Sequence, residues 1–113
     1  MEIVQKAAKL GGLSGALVAL QDGLLVASQL PEQFDSEMIA AFLPQIFGRI
    51  SHYTKQLSLG EPSSVALVVN QIPMRIYRAG TVYFLAFGRA EEGLPESALA
   101  AIALHLERQS NLS

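Results

Sequence analysis

Leu13-Ser14-Gly15-Ala16-Leu17-Val18-Ala19-Leu20-Gln21-Asp22-Gly23-Leu24-Leu25-Val26-Ala27-Ser28-Gln29 holds two apolar runs on either side of an Asp-Gly pair. Asp-Gly between apolar runs is a strong short-range hairpin signal, because the tight turn needs positive φ and glycine adopts it without a steric penalty. The reading is a strand over 14–20, a turn at Gln21-Asp22-Gly23, and an antiparallel strand over 24–29. Everything else in the chain has to be compatible with that hairpin.

On the N-terminal side, Ile3, Val4, Ala7, Ala8 and Leu10 recur at helical spacing, with Glu2, Gln5, Lys6 and Lys9 on the other side. A short helix is expected there. Gly11-Gly12 stops it, since glycine tolerates the left-handed conformation that follows a helix end. On the C-terminal side, Leu30-Pro31-Glu32-Gln33 breaks the second strand, and Asp35 is placed to cap a long helix running to about Leu57. Ile39, Phe42, Ile46, Ile50, Tyr53 and Leu57 form one stripe at spacings of three and four, with Met38, Ala41, Leu43 and Phe47 beside it. That apolar face is wider than a single core-facing stripe requires. Pro44 lies inside the pattern, where a missing N–H and a crowded preceding turn predict a kink near residues 40–43 or a split into two helices.

Leu59-Gly60-Glu61-Pro62 closes this helix. A strand follows over 63–70, with Val65, Leu67 and Val69 on one face and Ala66 and Val68 on the other. The run 73–78 alternates, placing Met74 and Ile76 inward and Arg75 and Tyr77 outward. Ala79-Gly80 turns the chain into 81–88, the most apolar strand and therefore the expected centre of the sheet. Pro95 suits the first turn of a last helix whose buried face is Leu99, Ile102, Ala103 and Leu106; the polar tail 109–113 is expected to fray. The order α-β-β-α-β-β-β-α, with short hairpins between successive strands, gives an α+β fold: one antiparallel five-stranded sheet with helices packed on it. Residues 1–113 are read as a single domain.

Bulk properties narrow the function. Half of the 113 residues are hydrophobic and 16% are charged, so a domain this small must hide much apolar surface, and self-association is one way to do it. A net charge of -2 offers no basic field for nucleic acid. With no cysteine there is no disulfide scaffold, thiolate metal site or thiol nucleophile. Met1-Glu2-Ile3-Val4-Gln5-Lys6 lacks a signal peptide's apolar run, and the stretches 13–20 and 63–69 fall far short of the roughly 20 residues a membrane-spanning helix needs. A cytoplasmic protein with no membrane span is expected.

Candidates for chemistry are few. His52 and His105, the only histidines, lack further ligands at useful spacing and read as partly exposed helix residues. No serine sits in a G-x-S-x-G elbow. Gly11-Gly12-Leu13-Ser14-Gly15 follows a helix and opens a strand, the reverse of a phosphate loop, so a helix stop is the better reading. Glu91-Glu92 reads as a solvated turn. Arg75, Arg78 and Arg89 are positioned to meet at one end of the sheet, where an arginine can act on a partner's phosphoryl transfer, although the polar face of a strand is the simpler account. No catalytic, cofactor-binding or metal-binding residue is assigned, and the chain is read as a non-enzyme.

Surplus apolar surface is the informative feature. The helix after Asp35 is too widely apolar, and the strand 63–70 is apolar on both faces. A two-fold dimer pairing that strand with its own copy, with the long helices packed beside it, buries both. The residues assigned to this interface are Ile39, Phe42, Ile46, Val65, Leu67 and Val69.

Leu13-Ser14-Gly15-Ala16-Leu17-Val18, then Asp22-Gly23-Leu24-Leu25-Val26-Ala27, then Ile39-Ala40-Ala41 early in a long helix, resembles the roadblock family. That family includes dynein light chains of the roadblock type and bacterial and archaeal regulators of Ras-like GTPases. The resemblance implies the same element order and pairing through the third strand and second helix. It also implies a non-enzymatic regulator or adaptor of a small Ras-like GTPase. Pro44 in the pairing helix departs from the pattern. Two other functions compete: a profilin-like small-molecule sensor, and a structural dimerisation scaffold inside a larger complex.

Overall fold

In the computed structural model, which describes residues 2–90 and 92–112, the Asp22-Gly23 turn closes the hairpin. Gly23 takes φ +93° and donates its N–H to the Leu20 carbonyl at 2.9 Å. Leu20 N–H donates to the Leu24 carbonyl at 2.8 Å, and the Asp22 carboxylate accepts the Leu24 N–H at 3.1 Å. The elements are α1 (Glu2–Ala8), β1 (Leu13–Leu20), β2 (Leu25–Gln29), α2 (Ser36–Gln56), β3 (Ser64–Val69), β4 (Ile72–Ala79), β5 (Val82–Gly88) and α3 (Glu96–Leu112). This is the expected order, and the strands form one five-stranded sheet in the order β2-β1-β5-β4-β3, antiparallel throughout.

β5 is the central strand, in keeping with its unbroken apolar run. β2 and β3 are the two edges. One face of the sheet carries α1 and α3 over Ala16, Val18, Phe84 and Ala86, closed by Val4, Ala7, Leu99 and Leu106. The other carries α2, whose Ala40, Leu43 and Phe47 cover Leu17, Ala19, Tyr83 and Leu85. Both faces of β1 and β5 are therefore buried, which is why those strands read as apolar runs without alternation.

Three expectations are corrected. Tyr77, read as outward, lies under α3 with its ring 6.0 Å from that of Phe84, because α3 lies across β4 and β5 and covers that face too. α2 is one unbroken helix of 21 residues and does not split at Pro44. Proline there removes the N–H that the Ala40 carbonyl would accept. A Cβ on Gly23 would come within 3.4 Å of that carbonyl and 3.1 Å of Ala41 Cα, so the hairpin turn lies directly against the helix there. Finally, α3 continues through Leu112 where the tail was expected to fray; Ser113 lies outside the described residues. Residues 96–112 contain neither glycine nor proline, so nothing local ends the helix.

The capping expectation holds. Asp35 accepts the Met38 N–H at 3.1 Å and satisfies one of the four free donors at the helix start. The β3–β4 connection is tight: Asn70 and Gln71 both take positive φ, at 51° and 67°.

Candidate interaction surface

α2 lies across β1 and β2, with Phe47 reaching Tyr83 of β5 at a ring separation of 5.0 Å. Its placement is asymmetric. Ala41 faces the β1–β2 turn, so the helical repeat directs Ile39, Phe42, Ile46 and Tyr53 the opposite way, toward β4 and β3. The side chains packed deepest are Ala40, Leu43 and Phe47. The longer stripe read from the sequence is therefore the flank of the helix and not its core face. Along that flank Ile39, Ile46 and Ile50 are half-buried, whereas Phe42, Tyr53 and Leu57 are 50, 63 and 69% exposed.

β3 continues this apolar band. On the α2 side of the sheet Val65 is buried, Leu67 is half-buried and Val69 is 53% exposed. On the α3 side Ala66 is exposed and Val68 is 71% exposed, because α3 covers β4 and β5 and stops short of β3. β3 pairs only with β4, so the outward-pointing backbone groups of its other edge have no strand beside them among the described residues. All six residues assigned to an interface thus lie on one face of the sheet, along one flank of α2 and the adjoining edge strand. Val65 already belongs to the chain's own core on the α2 side of the sheet.

Polar groups frame the band. The Glu61 carboxylate accepts from Lys55 at 2.8 Å and from Arg78 at 3.0 Å, tying the end of α2 to β4 around the start of β3. The Lys55 hydrogen bond and charge, with the Arg78 charge behind them, hold its carboxyl below the usual carboxylate range. Arg75 pairs with Glu96 at the start of α3, on the opposite side of the sheet. Arg89 follows β5, its N–H bonded to the Gly12 carbonyl. The three arginines expected to gather at one end are therefore dispersed, since Arg75 and Arg78 lie three residues apart on one strand and project from opposite faces.

Both histidines are exposed. His52 sits edge-on to Tyr53 with ring centroids 5.5 Å apart, and His105 lines an open groove between α1 and α3 with Glu2, Lys6 and Ile102. Among the described residues no group of three or more His, Cys, Asp or Glu is placed to hold a metal ion. No described helix is long and apolar enough to cross a membrane. Gly12, at φ +90°, makes the turn between α1 and β1, so the glycine-rich stretch is a helix stop. The Glu91-Glu92 pair lies partly outside the described residues.

The sequence reading missed the polar crown of α2. Gln45, Arg49 and His52 are exposed opposite the core face, and the spacing of four and three that marks them was legible but was passed over for the stripe beside it.

Residues 1–87 match the Roadblock/LC7 domain family. The chain belongs to that family. The Roadblock/LC7 match ends within β5, so α3 lies beyond it. An uncharacterised protein of Methanocaldococcus jannaschii is 35% identical over 52 residues, a stretch that is 46% of this chain and 46% of that protein. The matched stretch thus spans about half the length of that curated relative. Among solved structures, MglB of Myxococcus xanthus superposes with a TM-score of 0.87 at 12% identity, over 99% of this chain and 94% of that one. A structure described as MglB with tetrameric arrangement superposes with a TM-score of 0.81 at 14% identity, over 97% and 86%. At such identities the likeness is one of fold.

Proposed function

We infer that the chain is a non-enzymatic, cytoplasmic homodimer that regulates a small Ras-like GTPase or links it to other proteins. The observation that carries the dimer is the apolar band: an unpaired edge strand adjoining the exposed flank of a helix that covers only half of its sheet face. A second copy related by a two-fold axis meets both needs. Its β3 pairs antiparallel with β3 and joins the two sheets, while its α2 fills the space over β4 and β3 beside the first α2. Ile39, Phe42, Ile46, Leu67 and Val69 then lie in the contact, with Val65 behind them.

Membership of the Roadblock/LC7 family and the likeness to MglB support the regulator reading. The solved MglB with a tetrameric arrangement supports self-association as a habit of the fold. Apart from the phenols of Tyr77 and Tyr83, no polar or charged side chain is buried among the described residues, so the core offers few groups to orient a small ligand, and this favours a surface function over a sensor.

The test is capture from the source organism's lysate on the immobilised protein, once with GDP and once with a non-hydrolysable GTP analogue. Recovery of a small GTPase that prefers one nucleotide state is expected. Recovery of larger proteins irrespective of nucleotide would replace the regulator reading with that of a scaffold.

A further inference from the structure

Val68, 71% exposed, and Leu104, 46% exposed, lie on the α3 side of the sheet, whereas the side chains assigned to the dimer contact lie on the α2 side. Ala66 and Val68 point toward the α3 side because they alternate along β3 with Val65 and Leu67, which pack toward α2. Contacts fix the rotation of α3. Ala101, Ile102, His105 and Gln109 line the groove with α1, and Glu96 pairs with Arg75 of β4 on the other flank. The helical repeat puts Ala100, Ala103, Leu104 and Glu107 on that same flank, toward β3.

Joining β3 to its copy sets two uncovered strands side by side at the two-fold axis. Strands lie about 4.8 Å apart, so α3, over β4 and β5, has its axis about two strand spacings from the two-fold, and the two α3 axes are about 19 Å apart. Packed helices lie about 8–10 Å apart, so the trough between the two copies of α3 is one helix wide. Ala66 and Val68 of both copies form its floor, and the small Ala100 and Ala103, with Leu104, form each wall. The charged residues facing it are Glu96, Glu107 and Arg75, two carboxylates to one guanidinium in each copy.

We propose that the dimer binds one amphipathic helix of a partner protein in this trough, with the helix's apolar face on Ala66 and Val68 and its lysines or arginines along the two walls. The proposal rests on the homodimer reading and adds a second surface, which neither copy has alone. A partner strand is a poor occupant, because both edges of β3 are paired once the dimer forms. An irregular segment would lay unpaired N–H and C=O groups on an apolar floor, whereas a helix bonds its own. A second dimer seated face to face would set the same excess of carboxylates against itself, which opposes the contact. A basic helix meets that charge favourably. The trough lies on the two-fold axis, so it holds one helix per dimer, in either of two equivalent directions.

The experiment titrates the full chain by calorimetry with a peptide of Leu, Ala and Lys, about 18 residues long and patterned as an amphipathic helix, and with a second peptide that has Glu for every Lys. The basic peptide is expected to saturate at one per two chains, and the acidic one to bind at least about tenfold more weakly. Val68→Lys and Ala100→Trp should each weaken the basic peptide by about tenfold or more, with light scattering showing the wild-type mass. Ala100 lies away from the β3 pair, so Ala100→Trp fills the trough and leaves the dimer intact even where Val68→Lys loosens it. In a dimeric wild type, no binding, saturation at one peptide per chain, or an unchanged affinity for Ala100→Trp overturns this inference and leaves the dimer reading standing. A monomeric wild type overturns both.

Discussion

Gly23 carries two constraints at once. Its φ of +93° is a backbone region that residues with a Cβ avoid, and a Cβ there would stand 3.1 Å from Ala41 Cα. Gly23→Ala should therefore destabilise the fold by roughly 1–3 kcal/mol, measured as a lower midpoint in urea unfolding. Asp-Gly made the turn legible in the sequence, but the contact with α2 was not, because nothing local records which distant element a turn will touch. Tyr77 makes the same point from the other direction: alternation along one strand placed it outward, and only the position of α3 across β4 and β5 buries it. Burial pushes the Tyr77 phenol above its ordinary value of 10.0. The folded state thus keeps its proton at a pH where the unfolded state releases it. That stabilisation is complete below the unfolded value and is lost as pH rises through the folded one. Urea midpoints should fall above pH 10 in the wild type, and fall less in Tyr77→Phe.

α2 is the element where sequence reasoning was most nearly right and most instructive in its error. Its cap, length and excess of apolar surface were all legible, since Asp35, the spacing of the stripe and the Leu59-Gly60-Glu61-Pro62 stop are local signals. Which side of that wide face meets the sheet was not. Ala40, Leu43 and Phe47 pack against the sheet, whereas Phe42, the same residue type as Phe47, is left at the flank. Pro44 predicts a kink or a split, and the split is absent: α2 runs unbroken from Ser36 to Gln56 with the proline inside it, held by tertiary packing. Pro44→Ala restores the missing N–H to the Ala40 carbonyl and should raise stability by about 1–3 kcal/mol in thermal or urea unfolding. A loss of stability instead would mean that the hairpin turn needs the carbonyl left free.

Across the whole molecule, the sheet has two unlike edges. β2 carries a register shift between Val18 and Ala19 of its partner β1, and irregular pairing of this kind makes an edge a poor template for another strand. β3 pairs with β4 over Ser64 to Val69 without interruption and lies beside the exposed flank of α2. In the proposed dimer, self-association is directed to one edge by the irregularity of the other. The surplus of apolar residues visible in the composition acquires a location only once the sheet order is known, because β3 becomes an edge through its pairing with β4 alone. The measurement that bears most directly on this is the solution mass by light scattering of the wild type, of Leu67→Glu and of Phe42→Glu, with circular dichroism to check that each variant is folded. The account predicts about twice 12.1 kDa for the wild type and a folded monomer for Phe42→Glu, with Leu67→Glu monomeric as well. A monomeric wild type, or folded variants that remain dimers, would contradict it.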